Sequence, residues 1–463
     1  MDYKNVRCGL EIHCQLNFLQ SKLFCDCLSN FDGKNINENT CPVCLGHPGS
    51  LPSVNGSAIK LGLKLAKAIR MKIPNTLSFS RKHYDYPDLP KGFQITQNSD
   101  GILGINGYLP IKEIEYPIRQ IQLEEDPAKL IYTEKEIIVD YNRSGITLIE
   151  TVTDPVFHSA ESIKAFLTQY RRLLLFLEIS DTKKEGSFRV DVNVSVGNHP
   201  RVEIKNIGSD TEIIKAFHYE IERQRSVSHL SNIVMETRHW DAENGETVKS
   251  REKEELFDYK YMNESNIPII ELHEDFINAI KLPELPWTIE EKLLNKNKLT
   301  ESQITILLDD LYLLHLYEQI DLLKGIKHAV KDRFFWQDYL SFYKDIDAHE
   351  DNDIMLRIKN ISISNIEDLL KGVSQAKITN KEQKRLLRRH IMKNDPLLIN
   401  TESSVNYSEI INHLKKNFSK VWDQSKTNSN KINFLVGQGI RYSNGKANAK
   451  ELRNLILENI PKS

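Results

Sequence analysis

Residues 185–206 read EGSFRVDVNVSVGNHPRVEIKN. With a period of two, Val190, Val192, Val194 and Val196 point to one face, and Arg189, Asp191, Asn193 and Ser195 to the other. GNHP then breaks the run, and alternation resumes with Val202 and Ile204 set against Arg201, Glu203 and Lys205. Two adjacent antiparallel strands would bury the valines together with Ile204. Their opposite face would carry Arg, Asp, Asn, Glu and Lys side by side. Such a face is either a solvated outer surface or the polar floor of a site that holds a metal and phosphates. The choice turns on whether other strands aim carboxylates the same way.

Three further strands do supply acids. Residues 9–16 alternate Leu10, Ile12 and Leu16 with Glu11, His13 and Gln15. Residues 118–130 form a strand that ends in Glu124, Glu125 and Asp126. Residues 146–152 place Glu150 among Leu148, Ile149 and Val152, where a carboxylate is costly to bury unless it is paired or ligated. Helices are expected over 59–69, over 160–177 with a wide apolar stripe, and from a capping box at Ser209–Glu212 to about Arg225. Strands alternating with helices predict an α+β domain that extends to the prolines of residues 282–286. Beyond Trp287 the strand signals vanish, and Thr300–Gln303 is a capping box before an apolar run. The expected division is an α+β domain at 1–286, a helical domain at 287–400 and a small helical tail domain at 401–463.

The 463 residues are 40% hydrophobic and 27% charged, the profile of a soluble globular protein. A net charge of −2 predicts neither nucleic-acid nor membrane binding, so any such partner must meet a local patch. One exists: from Lys377 onward there are seventeen Lys and Arg against seven Asp and Glu, with Lys384, Arg385, Arg388 and Arg389 close together. That run is either a solvated helix face or a contact for RNA backbone. No apolar run approaches a membrane span, and MDYKNVRCGLEIH lacks a basic leader with an apolar core. A cytoplasmic address, with no membrane partner, is expected.

All six cysteines precede residue 45. Cys25, Cys27, Cys41 and Cys44 read C-x-C, then thirteen residues, then C-P-V-C, a spacing that suits a structural tetrahedral zinc or else leaves four unligated thiols. Cys8 and Cys14 flank a strand as small core residues. Residues 81–97, RKHYDYPDLPKGFQITQ, carry two prolines and a glycine and are expected as an ordered loop without a regular element. Its interleaved basic and aromatic residues suit either plain surface or the end of a single-stranded nucleic acid.

Carboxylates that converge on one cavity repel one another, and their ionised forms need cations. Mg2+ takes a few carboxylates together with substrate phosphates. Arg189 and Lys205, on the acidic face, could offset charge on a transferring phosphoryl group. No G-x-x-x-x-G-K-[ST] loop occurs, which leaves a sheet-based, acid-lined metal and ATP site.

The ordered series GLEIHCQL, FCDC…TCPVCLGHPGSLP, RKHYDYPDLPKGFQITQ, LEEDPAKL, DYNRSGITLIETVTDP, EGSFRVDVNVSV, RVEIKN, YEIERQ, ETRHWDAENGETVKSREKEELFDYKY and FLVGQGI…GKAN resembles the B-subunit family of the aspartyl/glutamyl-tRNA amidotransferases over nearly the whole chain. The resemblance implies a cradle domain related to glutamine synthetase, then a helical domain, then a tail domain that touches tRNA. It implies the kinase and transamidase part of a complex. ATP phosphorylates the side-chain carboxylate of glutamate or aspartate mischarged on tRNA(Gln) or tRNA(Asn), and ammonia displaces the phosphate. Carried onto this chain, Glu11, Glu125, Glu150 and Asp191 resemble the Mg2+ and ATP site, with His13 beside them. Lys82 and Tyr84 would lie near the aminoacyl end or the ammonia route. Arg189, Glu203 and Lys205 join them from the strand pattern alone. The four cysteines match those that some family members keep as a zinc site. Pro127-Ala128, the 207–210 segment and Gln438-Gly-Ile depart from the family pattern, beside the site or in the tail. No amidase Ser–Ser–Lys arrangement and no glutaminase cysteine occurs, so ammonia is expected from a partner amidase subunit that uses glutamine, with a small third subunit. Two rival readings are a ligase acting on a free amino-acid or peptide carboxylate, and a non-catalytic zinc-containing tRNA scaffold.

Overall fold

The computed structural model describes residues 5–84, 86–98, 101–205, 207–227, 235–249, 260–295, 299–322, 339, 361–374, 378–393, 406–424, 429–443 and 447–460. The chain forms two compact units, Met1–Ile289 and Glu290–Ser463. It is a mixed α+β protein with a large sheet and helices.

The first unit is built on an 11-stranded sheet. Across it, from one edge, run the strands Glu246–Lys249, Glu236–Asp241, Val202–Lys205, Phe188–Val196, Val6–Gln15, Thr147–Thr153, Ile114–Glu125, Phe93–Thr96, Ser80–His83 and Met262–Asn263. Gly104–Ile111 pairs with Ile114–Glu125 off this path. The central hairpin forms as its alternation demands: Val192 pairs with Ile204 and Val194 with Val202, antiparallel. Among the described strands, only Val202–Lys205 with Glu236–Asp241 is parallel.

One face of this sheet is apolar because each strand contributes every second residue to it. Val190, Val192, Val194, Leu10, Ile12 and Ile149 are buried there, with Cys8 and Cys14 as small core side chains. Helices Ala160–Phe176 and Asp210–Ser226 supply Phe166, Leu173, Phe217 and Ile221 to the same core. Ser159 and Ser162 close a reciprocal capping box on the first; Ser209 accepts from the Glu212 N–H on the second. Thr151 Oγ1 meets Tyr170 OH at 2.6 Å, which fixes one face of the strand that carries Glu150 on the other.

The stretch 81–97 departs from the expected loop. Ser80–His83 and Phe93–Thr96 are paired antiparallel strands, Arg81 against Ile95 and Lys82 against Gln94. Pro87 and Pro90 both fall in the connection, where neither removes a ladder hydrogen bond.

The second unit is helical among the described residues. Thr300 and Gln303 form a reciprocal capping box. In its last part Ile410, Leu414, Leu435, Leu452 and Ile456 share a small core. A Cβ on Gly439 would lie 2.6 Å from Leu452 Cδ2 and 3.0 Å from Ile410 Cγ2, so a larger residue there would have to displace core side chains.

Candidate active site

Residues directly opposite in a ladder share a face. Glu11 is opposite Asp191, and His13 is opposite both Arg189 and Glu150. Glu150 in turn is opposite Gln122, and Glu124 is opposite Thr96. The polar face is therefore assembled from five strands by register alone. His13 sits between two carboxylates, its Nε2 3.3 Å from Glu11 Oε1 and its Nδ1 3.0 Å from Glu124 Oε1. Gln122 Nε2 donates to Glu150 Oε2 at 2.9 Å. Glu11, His13 and Glu124 line a cleft of about 460 Å³ together with Lys82, Tyr84, Gln94, Arg189, Asp191 and Lys205.

The electrostatics follow from burial and crowding. Burial opposes ionisation of Glu11, yet the His13 hydrogen bond and charge hold its carboxyl down to about 2. Glu124 is lowered in the same way against its own burial. His13, despite burial, is raised well above the usual imidazole value by its bonds to these two acids. Glu150 goes the other way: burial first, then the Glu124 charge, pushes it up to about 8. Burial raises Asp191 as well. Burial and neighbouring acids thus disfavour the ionised forms of Glu150 and Asp191, forms that a bound cation would favour. Glu11, His13 and Asp191 form one group of donor atoms within 4.8 Å of one another, and His13, Glu124 and Glu150 form a second. Such oxygen-rich donors fit a hard divalent cation.

Of the residues expected here, the structure brings together Glu11, His13, Glu150, Asp191, Arg189, Lys82, Tyr84 and Lys205. Glu203 lies one strand outward and reaches the floor through Lys205, whose Nζ is 3.6 Å from Glu203 Oε1 and 3.7 Å from Asp191 Oδ2. Glu125 is elsewhere. It lies on the opposite face, buried, with Oε2 2.5 Å from Lys91 Nζ and Oε1 accepting from the Ile95 N–H at 2.8 Å. Glu124 occupies the place expected of it. The alternation of Ile121 and Leu123 with Gln120 and Gln122 is the signal that separates the two acids. Asp126 also belongs to the site's support: wholly buried, it accepts from Gln15 Nε2 at 2.7 Å and from Arg189 Nη2 at 2.8 Å. Its carboxyl is held below the usual range, against burial, by Arg189 and Arg143.

On the loops after the first strand, the Sγ atoms of Cys25, Cys27, Cys41 and Cys44 lie within 4.8 Å of one another. The Cys41 N–H donates to Cys44 Sγ at 3.1 Å. Hydrogen bonding from Cys25 brings the Cys44 thiol down to about 4, and the same contact with burial drives Cys25 upward. Gly46 ends this turn at φ +68°, and a Cβ there would lie 2.5 Å from Lys91 Cγ. Four converging sulfurs are the donor set of a soft, tetrahedral centre.

In the second unit, helix Asn380–Lys393 presents Lys384, Arg385, Arg388 and Arg389 as exposed residues at i, i+1, i+4 and i+5. Arg385 Nη2 is 2.6 Å from Glu382 Oε1.

An acid-lined cleft on a mixed sheet, with basic side chains around it and a helical second unit, defines a multi-domain α+β protein. Residues 6–278 match the GatB/GatE catalytic domain, and residues 348–460 match the GatB domain. The chain is 34% identical to the B subunit of the aspartyl/glutamyl-tRNA(Asn/Gln) amidotransferase of Saccharolobus solfataricus, over 98% of this chain and 99% of the relative. It is 34% identical to the protein of the same name from Methanosarcina barkeri over 99% and 100%. For that from Finegoldia magna the identity is 35% over 98% of each. The chain belongs to the family of aspartyl/glutamyl-tRNA(Asn/Gln) amidotransferase B subunits.

Proposed function

We propose that this chain is the activating and amidating subunit of a tRNA-dependent amidotransferase, a ligase that works within a complex. It uses ATP to phosphorylate the side-chain carboxylate of Glu-tRNA(Gln), Asp-tRNA(Asn) or both, and ammonia then yields the amide. The observation that carries this reading is the single cleft lined by Glu11, Glu124, Asp191, His13, Arg189 and Lys205, with Glu150 beside His13 and Glu124, in a chain of this family. Glu11, Asp191, Glu124 and Glu150 would hold Mg2+, which when bound neutralises phosphate charge and orients the reacting oxygens. Glu125 acts from behind the floor by holding Lys91.

The chain's own groups do the rest. Before a cation binds, His13, raised toward its imidazolium form, keeps Glu11 and Glu124 ionised and fixed in direction. Arg189, held by Asp126, and Lys205, held by Asp191 and Glu203, offset charge on the transferring phosphoryl group. Lys82 and Tyr84 line the wall that receives the aminoacyl end. A carboxylate is a poor acyl donor because its leaving group would be oxide, and phosphorylation supplies a better one. The acyl phosphate must meet ammonia before water, so the ammonia comes directly from a partner amidase subunit that uses glutamine, with a small third subunit in the complex.

Residues 1–286 form the cradle-shaped, glutamine-synthetase-like catalytic domain, 287–400 a helical domain and 401–463 the tail domain that meets tRNA. The four cysteines hold a structural Zn2+. Among the described residues no helix is long and apolar enough to cross a membrane, and the reading places the protein in the cytoplasm. The test is conversion of Glu-tRNA(Gln) and Asp-tRNA(Asn) by the assembled complex with glutamine and ATP. Asp191→Asn stops conversion while tRNA binding stays near wild type. Deletion from Lys377 stops conversion and spares ATP hydrolysis with a free acid. Full activity of the Asp191 variant would sink the site assignment.

A further inference from the structure

Lys22 is fully buried in the loop that leads into the cysteine cluster. Its Nζ donates to Asn39 O at 3.0 Å and points at Cys44 Sγ, 3.7 Å away. Among the described residues no carboxylate pairs with it. Its direction is fixed by the fold. The Lys22 N–H donates to Cys27 O at 2.9 Å, and Asn55 Nδ2 donates to Lys22 O at 3.3 Å. The stem passes Gly145, where an added Cβ would lie 3.5 Å from both Lys22 Cδ and Cys44 Cβ. Lysine ordinarily snorkels to water, and a buried ammonium without an anion is strongly disfavoured. The Glu125 carboxylate also lies near Gly145, but its Oε2 is held by Lys91 at 2.5 Å; the groups left to offset the ammonium are the sulfurs of the cluster.

We propose that Lys22 is the charge partner of a metal–tetrathiolate centre. Its ammonium, aimed at Cys44 Sγ, offsets part of the negative charge that four thiolates leave in excess on one divalent ion, and so governs how firmly the metal is held. This rests on reading the four cysteines as a zinc site. Cys44 then receives two donors, the Lys22 ammonium and the Cys41 N–H, and is the best supported of the four sulfurs. Outer groups of this kind change metal affinity by about 10- to 100-fold when removed. Lys22 takes no part in the reaction at the cleft; it positions charge at the structural centre.

The experiment uses the full chain. Zinc is first measured in the purified wild type; a well-folded wild type that neither contains nor takes up zinc overturns the zinc reading, and this proposal with it, before any variant is made. Lys22→Met is then compared in two backgrounds, wild type and Cys41→Ser/Cys44→Ser. Zinc release to a colorimetric chelator and the thermal midpoint are followed. In the wild-type background Lys22→Met should release zinc about 10- to 100-fold faster. In the double-serine background, where the ammonium has lost its counter-charge, the same change should raise the thermal midpoint. A variant that fails to fold only in the wild-type background also supports the proposal. Release at the wild-type rate, an equal loss of stability in both backgrounds, or failure to fold in both would overturn it.

Discussion

His13 Nδ1 lies 3.0 Å from Glu124 Oε1, while the adjacent Glu125 turns to the other face of the sheet and binds Lys91. Two neighbouring acids thus have separate duties, one in the cleft and one behind it. Glu124→Gln removes a charge that His13 and the cation need, so kcat for amidation should fall by roughly 100-fold or more. Glu125→Gln instead strands a largely buried Lys91, and breaking such a pair costs up to about 3 kcal/mol. Activity per folded molecule should then stay near wild type while the urea midpoint drops. The reverse pattern, with Glu125→Gln dead but stable, would refute the assignment.

Glu150 makes the metal-free protein sensitive to alkali. Its folded-state pKa, about 8, stands above the unfolded value of about 4.3. The folded chain therefore binds an additional proton between those values. Stability falls as pH rises through that window and stays low above it. With divalent cations removed, Glu150→Gln should melt above the wild type at about pH 8.5, and the gap should shrink toward pH 5. Added Mg2+ should raise the wild-type midpoint more than that of the variant. Calorimetry at both pH values reads the effect, and an unchanged gap across the range would count against it.

Asp126 works with the opposite sign. Its carboxyl is held low by Arg189 and Arg143 against full burial. Its contribution is complete above the unfolded value of about 3.9 and is lost as pH falls through the lower folded value. Asp126→Asn should cost about 3 kcal/mol at pH 7, with the difference from wild type narrowing at about pH 3, below the unfolded value. Urea titrations at the two pH values measure this. Amidation should slow as well, because the Arg189 guanidinium loses the acceptor 2.8 Å away that aims it.

The sheet was legible because its strands alternate strictly. The valines of 190–196 and the Leu10–Ile12 pair define the apolar face without knowledge of their neighbours. Glu11, His13, Asp191 and Arg189 followed from the same period. What local pattern does not contain is register between distant strands. His13 meets Glu150 and Glu124 only because residues more than a hundred positions apart pair in the ladder. The Glu124–Glu125 choice was readable from Ile121 and Leu123, but the triple acid run masks it until the strand's apolar side is fixed. Asp126 is one residue past the strand, where period two no longer applies, and its role follows from Gln15 and Arg189 reaching it. The hairpin around Tyr84 was hidden by Pro87 and Pro90, which mark a turn and say nothing of the strands it joins.

Helix Asn380–Lys393 carries the last prediction. Lys384, Arg385, Arg388 and Arg389 are exposed on neighbouring turns, so their charges act together on a polyanion. Each phosphate contact releases counterions, which makes binding steeply salt-dependent. Replacing all four together by Gln should weaken tRNA binding at low salt and reduce the log–log salt slope by roughly two to three. Arg385→Gln alone should change the slope little, since Glu382 at 2.6 Å already shares its charge. The loss should appear in KM for aminoacyl-tRNA, with kcat at saturating tRNA near wild type, because the carboxylate floor lies in the other unit. Fluorescence anisotropy across a salt series, run beside steady-state kinetics, separates these outcomes. A slope identical to wild type would remove this helix from the tRNA path.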